Sequence, residues 1–405
     1  MSERVAITGI GVVSPIGNNK AETWENCKKG ICGIAPIKEN DISDVPILLA
    51  GEVKNLDMES ILGKRDVKFS SRFTCMARIA AKEAYADSNL SVCDFDRDSF
   101  GVMISSAIGG GEALENGIKT DQIGPFFITA SGLHSATASV AIDLEAHGCN
   151  VAMVSACAGG ANAIGEAYSK IKSGSENIII CGGSEALNET TIKGFAAMRA
   201  VYNEDDIKKA SIPFDRDRKG FVPAEGAAIL ILENMEHAKK RGAHIYAEVV
   251  GYGSTCDAFH STAPREDGMY SGLAMTKAMK DAGVSAKEID YINAHGTGTK
   301  LNDYSECAAI KNAFGDDYLL PFVSSTKSMT GHMLSAGGAL EAVFSVLSLE
   351  DGFIPATINI ENQDEKCDIN LLKNEGIKKD ITYVMSNSFG FGGHNVSLIF
   401  KKFKE

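Results

Sequence analysis

Cys157 has the surroundings of a reactive thiol in this 405-residue chain. It follows a short apolar run that ends in Ser-Ala and precedes Ala-Gly-Gly-Ala, so the pattern predicts that it opens a helix directly after a strand. Amide groups at a helix N-terminus favour a thiolate, and we therefore expect a lowered pKa and a nucleophilic role for this thiol. The turn can also aim backbone N–H groups at a carbonyl oxygen. The alternative is a small buried cysteine without chemistry.

His295 is a second candidate, because it stands at the end of a predicted strand and is followed by Gly-Thr-Gly-Thr. A histidine on such an open loop can donate a hydrogen bond to a developing oxyanion or polarise a carboxylate. The hydroxyls of Thr297 and Thr299 can bind an extended polar ligand that passes along the loop. The alternative is a loop histidine whose partners are only structural.

Lys327 and His332 lie five residues apart at another predicted strand-to-helix joint. His332 is a candidate for a second hydrogen-bond donor. Lys327 can set the local electric field, with Glu341 on the following helix as its counter-ion. A single lysine is usually solvated, but this one stands where α/β folds place reactive groups.

The segment 387–395 places two phenylalanines among glycines. Glycines such as Gly390 and Gly392 allow positive φ and a close approach of the backbone. A phenylalanine in this loop can swing as a gate, and its backbone N–H can contribute to an oxyanion hole. The alternative is a hairpin turn with its phenylalanine packed inward.

Short apolar runs alternate with longer amphipathic stretches along the chain, which predicts α/β layers around mostly parallel sheets. The predicted strands are Arg4–Ile7, Phe100–Ser105, Asn150–Val154, Asn177–Cys181, Ala227–Glu233, Ile245–Tyr252, Tyr291–Ala294, Phe322–Ser324, Ile381–Ser386 and Val396–Phe400. The predicted helices include Arg72–Ala86, Ala158–Ser173, Gly272–Ala282 and Gly338–Leu349.

Two strand–turn–helix patterns, one at Cys157 and one near Lys327, are each followed by a further strand that runs into a glycine turn. We interpret them as a duplication joined near the charged segment 233–241. The predicted domains are residues 1–240, with the nucleophile, and 241–405, with the histidines, the lysine and the Gly-Phe-Gly-Gly loop. The alternative is that α/β folds simply reuse this joint.

Composition narrows the class of protein. The length exceeds what one hydrophobic core usually supports, and 44% hydrophobic with 23% charged residues indicates a folded globular chain. A net charge of −13 argues against a dedicated nucleic-acid binder. We expect no membrane span, because no stretch approaches 18 apolar residues. Ten dilute cysteines without a zinc-type Cys-x-x-Cys pair favour a reduced, cytoplasmic protein and predict no metal site.

These segments together resemble the beta-ketoacyl-acyl-carrier-protein synthases of the thiolase-fold superfamily, most closely the type II fatty-acid synthase members. The resemblance covers essentially the whole chain. Its further motifs are Ala6–Gly11, Ser14–Gly17, Asp215–Arg218, Gly220–Val222, Glu225–Ala227 and Asn387–Gly393.

The resemblance implies a fold, an activity and partners. The expected fold is a thiolase-like α/β fold, with two duplicated halves in a layered αβαβα arrangement. The expected activity is decarboxylating Claisen condensation of a malonyl thioester with an enzyme-bound acyl group, on substrates held by an acyl carrier protein. That carrier supplies the phosphopantetheine, so the resemblance implies no cofactor of the chain's own. It also implies a homodimer.

The resemblance further implies a role for each matching residue. Cys157 matches the acylated nucleophile, and His295 and His332 match the histidines that promote decarboxylation. Lys327 with Glu341 matches the electrostatic pair. Around them the matching residues are Phe391 with Gly390 and Gly392 as the gate loop, Phe195 in the acyl tunnel, Thr297 and Thr299 on the phosphopantetheine arm, and Asp257 and His260 on a second mobile loop. The residues that resemble a docking patch for the carrier are Lys64, Arg65, Lys68, Arg72 and Arg199.

Some alternatives stay open and others are disfavoured. A polyketide ketosynthase shares every catalytic motif, and the short segment 110–125 leaves the acyl chain length undetermined. A degradative thiolase needs a second cysteine in the final glycine loop, which has none. A starter-condensing synthase would use one histidine and one asparagine, and a non-catalytic partner subunit would lack the nucleophile. Gly9 and Gly11 mimic a dinucleotide fingerprint but lack its third glycine.

Overall fold

The computed structural model describes residues 3–38, 47–121 and 123–404. Its strands are β1 (Val5–Val13), β2 (Ala35–Pro36), β3 (Leu49–Ala50), β4 (Phe100–Ser105), β5 (Asn150–Met153), β6 (Ile178–Glu185), β7 (Gly226–Asn234), β8 (Ala247–Cys256), β9 (Tyr291–Asn293), β10 (Phe322–Ser324), β11 (Phe353–Ile354), β12 (Ile377–Lys378), β13 (Tyr383–Gly390) and β14 (His394–Lys402).

The helices are α1 (Lys20–Lys28), α2 (Met58–Leu62), α3 (Lys64–Phe69), α4 (Arg72–Asp87), α5 (Gly111–Thr120), α6 (Phe127–Ser131), α7 (Ser135–Leu144), α8 (Gly159–Lys172), α9 (Glu189–Ala197), α10 (Ile207–Ala210), α11 (Met235–Lys240), α12 (Met269–Ala282), α13 (Lys300–Phe314), α14 (Lys327–Thr330) and α15 (Ser335–Asp351). Among the described residues, none of these helices combines the length and the apolar composition that crossing a bilayer requires.

The ten predicted strands form one sheet in the order β10-β9-β13-β14-β8-β1-β7-β6-β4-β5. Within each half the strands occur in the same relative order and with the same directions, and β1 and β8 join the two halves through antiparallel pairing. The α/β fold class is confirmed. The boundary between residues 240 and 241 stays a prediction.

The expectation of a mostly parallel sheet is wrong. Strands β4, β5 and β6 are parallel, as are β9, β10 and β13, but the remaining pairs in each half are antiparallel. In the second half the cause is local, because only three residues separate β13 from β14 and so short a turn reverses the chain.

Helices α8 and α15 form the middle layer, since they pack on each other and on strands of both halves. Residues 335–349 of α15 are all buried, as a helix enclosed on every side requires. Helices α4 and α7 cover the outer face of the first half, and α12 and α13 cover that of the second. The layered αβαβα arrangement expected from the resemblance is therefore present.

Gly9 and Gly11 lie inside β1 and not on a phosphate-binding turn. A Cβ on Gly9 would lie 2.3 Å from the backbone oxygen of Ala84, and one on Gly11 would lie 1.9 Å from that of Ala80. The two glycines therefore let α4 approach the strand closely, which accounts for them without a dinucleotide.

Candidate active site

The predicted nucleophile lies on a strained turn between β5 and α8. Cys157 is the middle residue of a 3-10 turn, Ala156–Ala158, that leads directly into α8. Ala156 has a φ of 48°, and such a left-handed conformation costs a non-glycine residue about 1–3 kcal/mol. Only 8% of Cys157 is exposed. The turn therefore holds the thiol at a fixed position ahead of the helix.

Burial dominates the acidity of the Cys157 thiol. It raises the pKa to about 12, while the charge of Lys327 and a hydrogen bond from the backbone N–H of Phe391 oppose it only in part. The expectation of a lowered pKa is therefore wrong for this structure, because desolvation of a thiolate costs more than the amides of the turn return. The resting thiol is protonated, and its reaction with a thioester needs a proton acceptor.

Cys157, His295 and His332 line one cavity of about 980 Å³. The two imidazole rings lie 5.3 Å apart between centroids and are inclined at 82°. Phe389 and Phe221 pack against the rings at 5.8 Å from His295 and 5.3 Å from His332. Residues from distant parts of the sequence thus face a single cavity.

Lys327 connects the His295 loop to α15. Its Nζ donates to the backbone oxygen of His295 at 2.6 Å, lies 3.3 Å from Nδ1 of the same residue, and forms an ion pair with Glu341. None of these three residues is more than 3% exposed. Because an ammonium group can only donate, Nδ1 of His295 accepts, and the ring proton sits on Nε2.

Burial, followed by the charge of Lys327, holds the pKa of His295 and of His332 well below the ordinary value of 6.5. Both rings are therefore neutral near pH 7, and each offers one N–H donor and one acceptor nitrogen. Nδ1 of His332 is buried and has no hydrogen-bond partner among the described residues. The pair can donate hydrogen bonds to a developing oxyanion and can also receive the proton of the thiol.

A buried carboxylate that the sequence analysis missed holds the backbone at His295. Glu306 on α13 accepts hydrogen bonds from the backbone N–H groups of His295 at 2.9 Å and of Gly296 at 2.7 Å. Burial raises the pKa of Glu306 to about 7. The available signal was a pair of carboxylates, Asp303 and Glu306, three positions apart on the helix that follows the His-Gly-Thr-Gly-Thr loop.

Replacing Lys327 by methionine is expected to destabilise the protein by about 3 kcal/mol at pH 8, because it leaves Glu341 buried without its cation. The loss should be smaller at pH 6. Burial raises the pKa of Glu341 to about 7 even beside Lys327, so at pH 6 the carboxyl takes up a proton and needs no counter-charge. Urea unfolding at the two pH values measures the difference.

The matched control for this change is Lys311→Met, which breaks an exposed ion pair with Asp368. It should cost no more than about 0.5 kcal/mol at either pH. An equal loss for Lys327→Met at pH 6 and pH 8 would contradict the idea that a buried charge causes it.

The loop after β13 packs directly on the nucleophile turn. A Cβ added to Gly390 would lie 3.0 Å from the backbone oxygen of Ser155 and 3.1 Å from the backbone nitrogen of Cys157, so a side chain there would require the loop or the turn to shift slightly. Phe391 is half-buried and lines the cavity, with its ring centroid 6.3 Å from that of Phe195. A side chain in this position can cover the thiol, and the gate role of Phe391 stays a prediction.

This loop is bonded to the second predicted mobile loop. Gly392, with a φ of 86°, donates its N–H to the backbone oxygen of Ser261 at 2.8 Å. Asn395 donates to the carboxylate of Asp257, also at 2.8 Å. His260 is exposed, accepts hydrogen bonds within its own loop, and lies outside the described lining of the cavity.

Comparison with known proteins identifies the family. Residues 2–238 match the beta-ketoacyl synthase N-terminal domain, and residues 246–361 match the beta-ketoacyl synthase C-terminal domain. The chain belongs to the beta-ketoacyl synthase family. Its fold is accordingly the thiolase-like ketosynthase fold.

Relatives and solved structures of this synthase family align over the whole chain. A 3-oxoacyl-[acyl-carrier-protein] synthase 2 from Staphylococcus aureus is 47% identical, covering 100% of this chain and 99% of the relative. The protein of the same name from Synechocystis sp. is 43% identical, covering 99% of each. One similar solved structure is a type II PKS acyl-carrier protein in complex with its ketosynthase bound to the hexaketide. It has a TM-score of 0.91 and 34% identity, with 100% of both chains covered.

In this synthase, Thr297 and Thr299 line the cavity with their hydroxyl oxygens 3.0 Å apart. Phe195 and Arg199 also line it. Each threonine hydroxyl can exchange its bond to the other for one to a ligand. The roles of these four residues in binding the arm, the acyl chain and the carrier stay predictions.

The predicted docking residues of the synthase are divided between two places. Lys64, Arg65 and Lys68 are exposed on α3, and none of them belongs to the described lining of the cavity, whereas Arg199 does. A docking surface that uses both groups must therefore include residues outside the cavity lining.

Arg72 differs from the other predicted docking residues. Its guanidinium donates to the carboxylate of Glu225 at 2.8 and 2.6 Å, and that carboxylate is fully buried. This ion pair holds Arg72 against the core and anchors the start of α4, and the docking role of Arg72 stays a prediction.

A second buried carboxylate missed by the sequence analysis lies next to the nucleophile. Glu185, the last residue of β6, accepts hydrogen bonds from the Ser106 hydroxyl at 2.9 Å, the Ala107 N–H at 2.8 Å and the Ile108 N–H at 3.1 Å. Burial raises its pKa to about 7, and its charge contributes to the raised pKa of Cys157. Its signal in the sequence is a carboxylate that ends an otherwise apolar and small-residue strand.

Proposed function

We propose that this beta-ketoacyl synthase lengthens a carrier-bound acyl chain in fatty-acid synthesis by decarboxylating Claisen condensation. An acyl group is first held on Cys157, and a malonyl carrier thioester then attacks it to give a 3-oxoacyl carrier thioester. The observation that carries the proposal is one thiol and two neutral imidazoles lining a single cavity. The 47% identical relative named 3-oxoacyl-[acyl-carrier-protein] synthase 2 supports the same reaction.

Acyl transfer to Cys157 is the first step. The sulfur attacks the thioester carbonyl, the bond from carbon to the carrier sulfur breaks, and the carrier leaves as a thiol. Because the resting thiol is protonated, a neutral imidazole receives its proton and returns it to the leaving thiolate. The backbone N–H of Phe391, already directed at the Cys157 sulfur, is placed to stabilise the tetrahedral oxyanion.

Decarboxylation and condensation complete the cycle. His295, whose proton sits on Nε2, and His332 donate hydrogen bonds to the thioester oxygen of the malonyl group as carbon dioxide leaves and the enolate forms. The enolate carbon attacks the acyl carbonyl on Cys157, a carbon–carbon bond forms, and the bond to the sulfur breaks. The Cys157 thiolate that leaves takes up a proton from solvent, which restores the resting thiol. Loss of carbon dioxide supplies the carbanion, so the site needs hydrogen-bond donors and no strong base.

The acyl carrier protein is the proposed partner, and its phosphopantetheine arm is proposed to pass Thr297 and Thr299. The similar solved complex of a carrier protein with its ketosynthase supports this partner. The chain is proposed to need no cofactor of its own. Its ten free cysteines support the proposed cytoplasmic location, because a reducing compartment keeps thiols unpaired.

The reaction is tested with purified protein, an octanoyl carrier thioester and a malonyl carrier thioester. The expected product is 3-oxodecanoyl carrier, with one carbon dioxide released per condensation. A ketosynthase of a polyketide pathway would instead prefer 3-oxoacyl primers. This alternative is less favoured, because the solved polyketide complex is 34% identical to the chain and the fatty-acid relative is 47% identical. Absence of any condensed product would overturn the proposed function.

We also infer that two copies of the chain associate through the face built by α5, α6, α7 and β5. β5 is the last strand of the sheet, so one of its edges has no partner strand among the described residues. The contacting elements α5, α6, α7 and β5, with the residues around them, expose large apolar side chains at Leu114, Ile118, Ile123, Phe126, Ile128, Leu133, Ile142, Val151 and Val154. Contiguous apolar surface of this kind marks a protein interface.

Placing charges on this face is expected to separate the copies. Wild-type protein should sediment at twice 43.0 kDa, and the double variant Ile142→Asp with Val151→Lys should sediment as a monomer. Val92→Asp is the control, because Val92 is 83% exposed and lies outside this face. A wild-type protein that is active and monomeric at micromolar concentration contradicts the inferred interface.

A further inference from the structure

The outer part of the active-site cavity carries an unusual concentration of positive charge for a chain with a net charge of −13. Five of its lining residues are exposed cations: Arg199, Lys209, Arg216, Lys219 and Lys300. Asp217 is the one exposed carboxylate among the described lining residues, because Asp257 is buried and bonded to Asn395. The inner end of the same cavity, at the thiol and the histidines, is buried. The cavity therefore runs from a cationic mouth to a neutral reaction centre.

Four of the five cations, all but Lys219, form no salt bridge among the described residues. Lys219 is paired with Glu204, and Arg199 was already assigned to carrier docking from the sequence. Lys209 on α10, Arg216 in the Asp-Arg-Asp-Arg motif, and Lys300 at the start of α13 form no salt bridge within the described part of the chain. These three come from separate segments of the chain, yet all line the cavity.

We propose that Lys209, Arg216 and Lys300 bind the phosphate of the phosphopantetheine arm at the mouth of the cavity. The inference rests on the proposed function and adds a recognition site to it. An arm whose thioester reaches Cys157 past Thr297 and Thr299 has one anionic group, and that group lies at the end remote from the sulfur. Unpaired lysine and arginine side chains are suited to a phosphate oxygen, because their hydrogen bonds to it are charge-assisted.

Contact with the surface of the carrier protein is the competing explanation for these cations. Substrates that carry the phosphate without the protein distinguish the two explanations. A phosphate contact acts on the free arm without any protein attached, whereas a contact with an acidic carrier surface does not. The decisive substrates are therefore octanoyl-pantetheine, octanoyl-4′-phosphopantetheine and octanoyl carrier protein, which add first the phosphate and then the protein.

The experiment measures the rate at which each thioester acylates the protein at Cys157, by intact mass. Wild-type protein is expected to prefer octanoyl-4′-phosphopantetheine over octanoyl-pantetheine about tenfold, with the preference falling as salt is raised. Lys209→Ala, Arg216→Ala and Lys300→Ala should each lower the second-order rate constant of acylation by the phosphorylated substrate about threefold to tenfold and leave that for octanoyl-pantetheine unchanged. Lys280→Ala, an exposed lysine of α12 outside the cavity lining, should change neither.

Three results would overturn the inference. If the two small thioesters acylate wild-type protein at equal rates, the phosphate makes no favourable contact with these cations. An equal loss on both of them in the variants assigns the cations a structural effect. A loss confined to octanoyl carrier protein assigns them to the protein surface. A different outcome is that no thioester, including octanoyl carrier protein, acylates the wild-type protein. That result overturns the proposed function itself.

Discussion

Cys157→Ala is expected to abolish transfer of a labelled acyl group from a carrier thioester to the protein. Condensing activity should fall about a thousandfold or more, because no other nucleophile can hold the acyl group. The structure supports a single site, since Cys157 alone among the ten cysteines lines the described cavity. The assay is retention of radiolabel on protein after denaturation.

The control for this variant is Cys93→Ala, which removes a half-buried thiol outside the cavity lining. It should keep wild-type labelling. The nucleophile assignment is wrong if label remains bound to the Cys157→Ala protein, or if the Cys93→Ala protein loses it.

His295→Ala and His332→Ala are each expected to slow malonyl decarboxylation by about a hundredfold to a thousandfold. A hydrogen-bond donor to a developing oxyanion is worth about 3–4 kcal/mol in an enclosed site. His295 should show the larger effect, because Lys327 and Glu306 fix both its ring and its backbone. Release of carbon dioxide from labelled malonyl carrier measures the step.

His244→Ala is the matched control, because this exposed imidazole pairs with Glu350 at the surface and does not line the cavity. It should leave decarboxylation unchanged. Undiminished carbon dioxide release from either His295→Ala or His332→Ala would remove the role assigned to that histidine.

The pH dependence of decarboxylation follows from the same two rings. Burial holds the pKa of His295 and His332 well below 6.5, so both stay neutral as the pH rises from 6.5 to 8. We therefore expect no inflection in the rate near pH 6.5. The free energy of unfolding, by contrast, should fall as the pH drops below about 6.5, because histidines in the unfolded chain then take up protons that the folded chain excludes.

Much of the fold follows from the sequence because local patterns encode it. The apolar runs at Phe100–Ser105 and Phe322–Ser324 became strands with the predicted ends. Strand direction was less accessible, because it depends on how each chain segment returns to the sheet. The three-residue turn between β13 and β14 is visible in the sequence only once both strand ends are known.

The candidate site was predictable where the residue type and its neighbours in the sequence indicate a reaction, as they do for Cys157 and His295. Glu306 and Glu185 were missed because most of their hydrogen-bond partners are backbone N–H groups, which every sequence contains and no motif marks. The raised pKa of Cys157 was also beyond the sequence, since the degree of burial comes from packing by distant segments such as the loop at Gly390.

The central claim is that the Cys157 thiol holds the acyl group while His295 and His332 promote formation of the enolate that attacks it. It is tested most directly by mass spectrometry of the protein and of its peptides during a single turnover. Octanoyl carrier should add one octanoyl group to the Cys157 peptide, and malonyl carrier should then discharge it as 3-oxodecanoyl carrier. The His295→Ala, His332→Ala double variant lacks the imidazoles that receive the thiol proton and donate to the malonyl oxygen, so we predict that its adduct forms slowly and, once formed, persists after malonyl carrier is added. An adduct on another residue, or discharge by the double variant at the wild-type rate, would contradict this account.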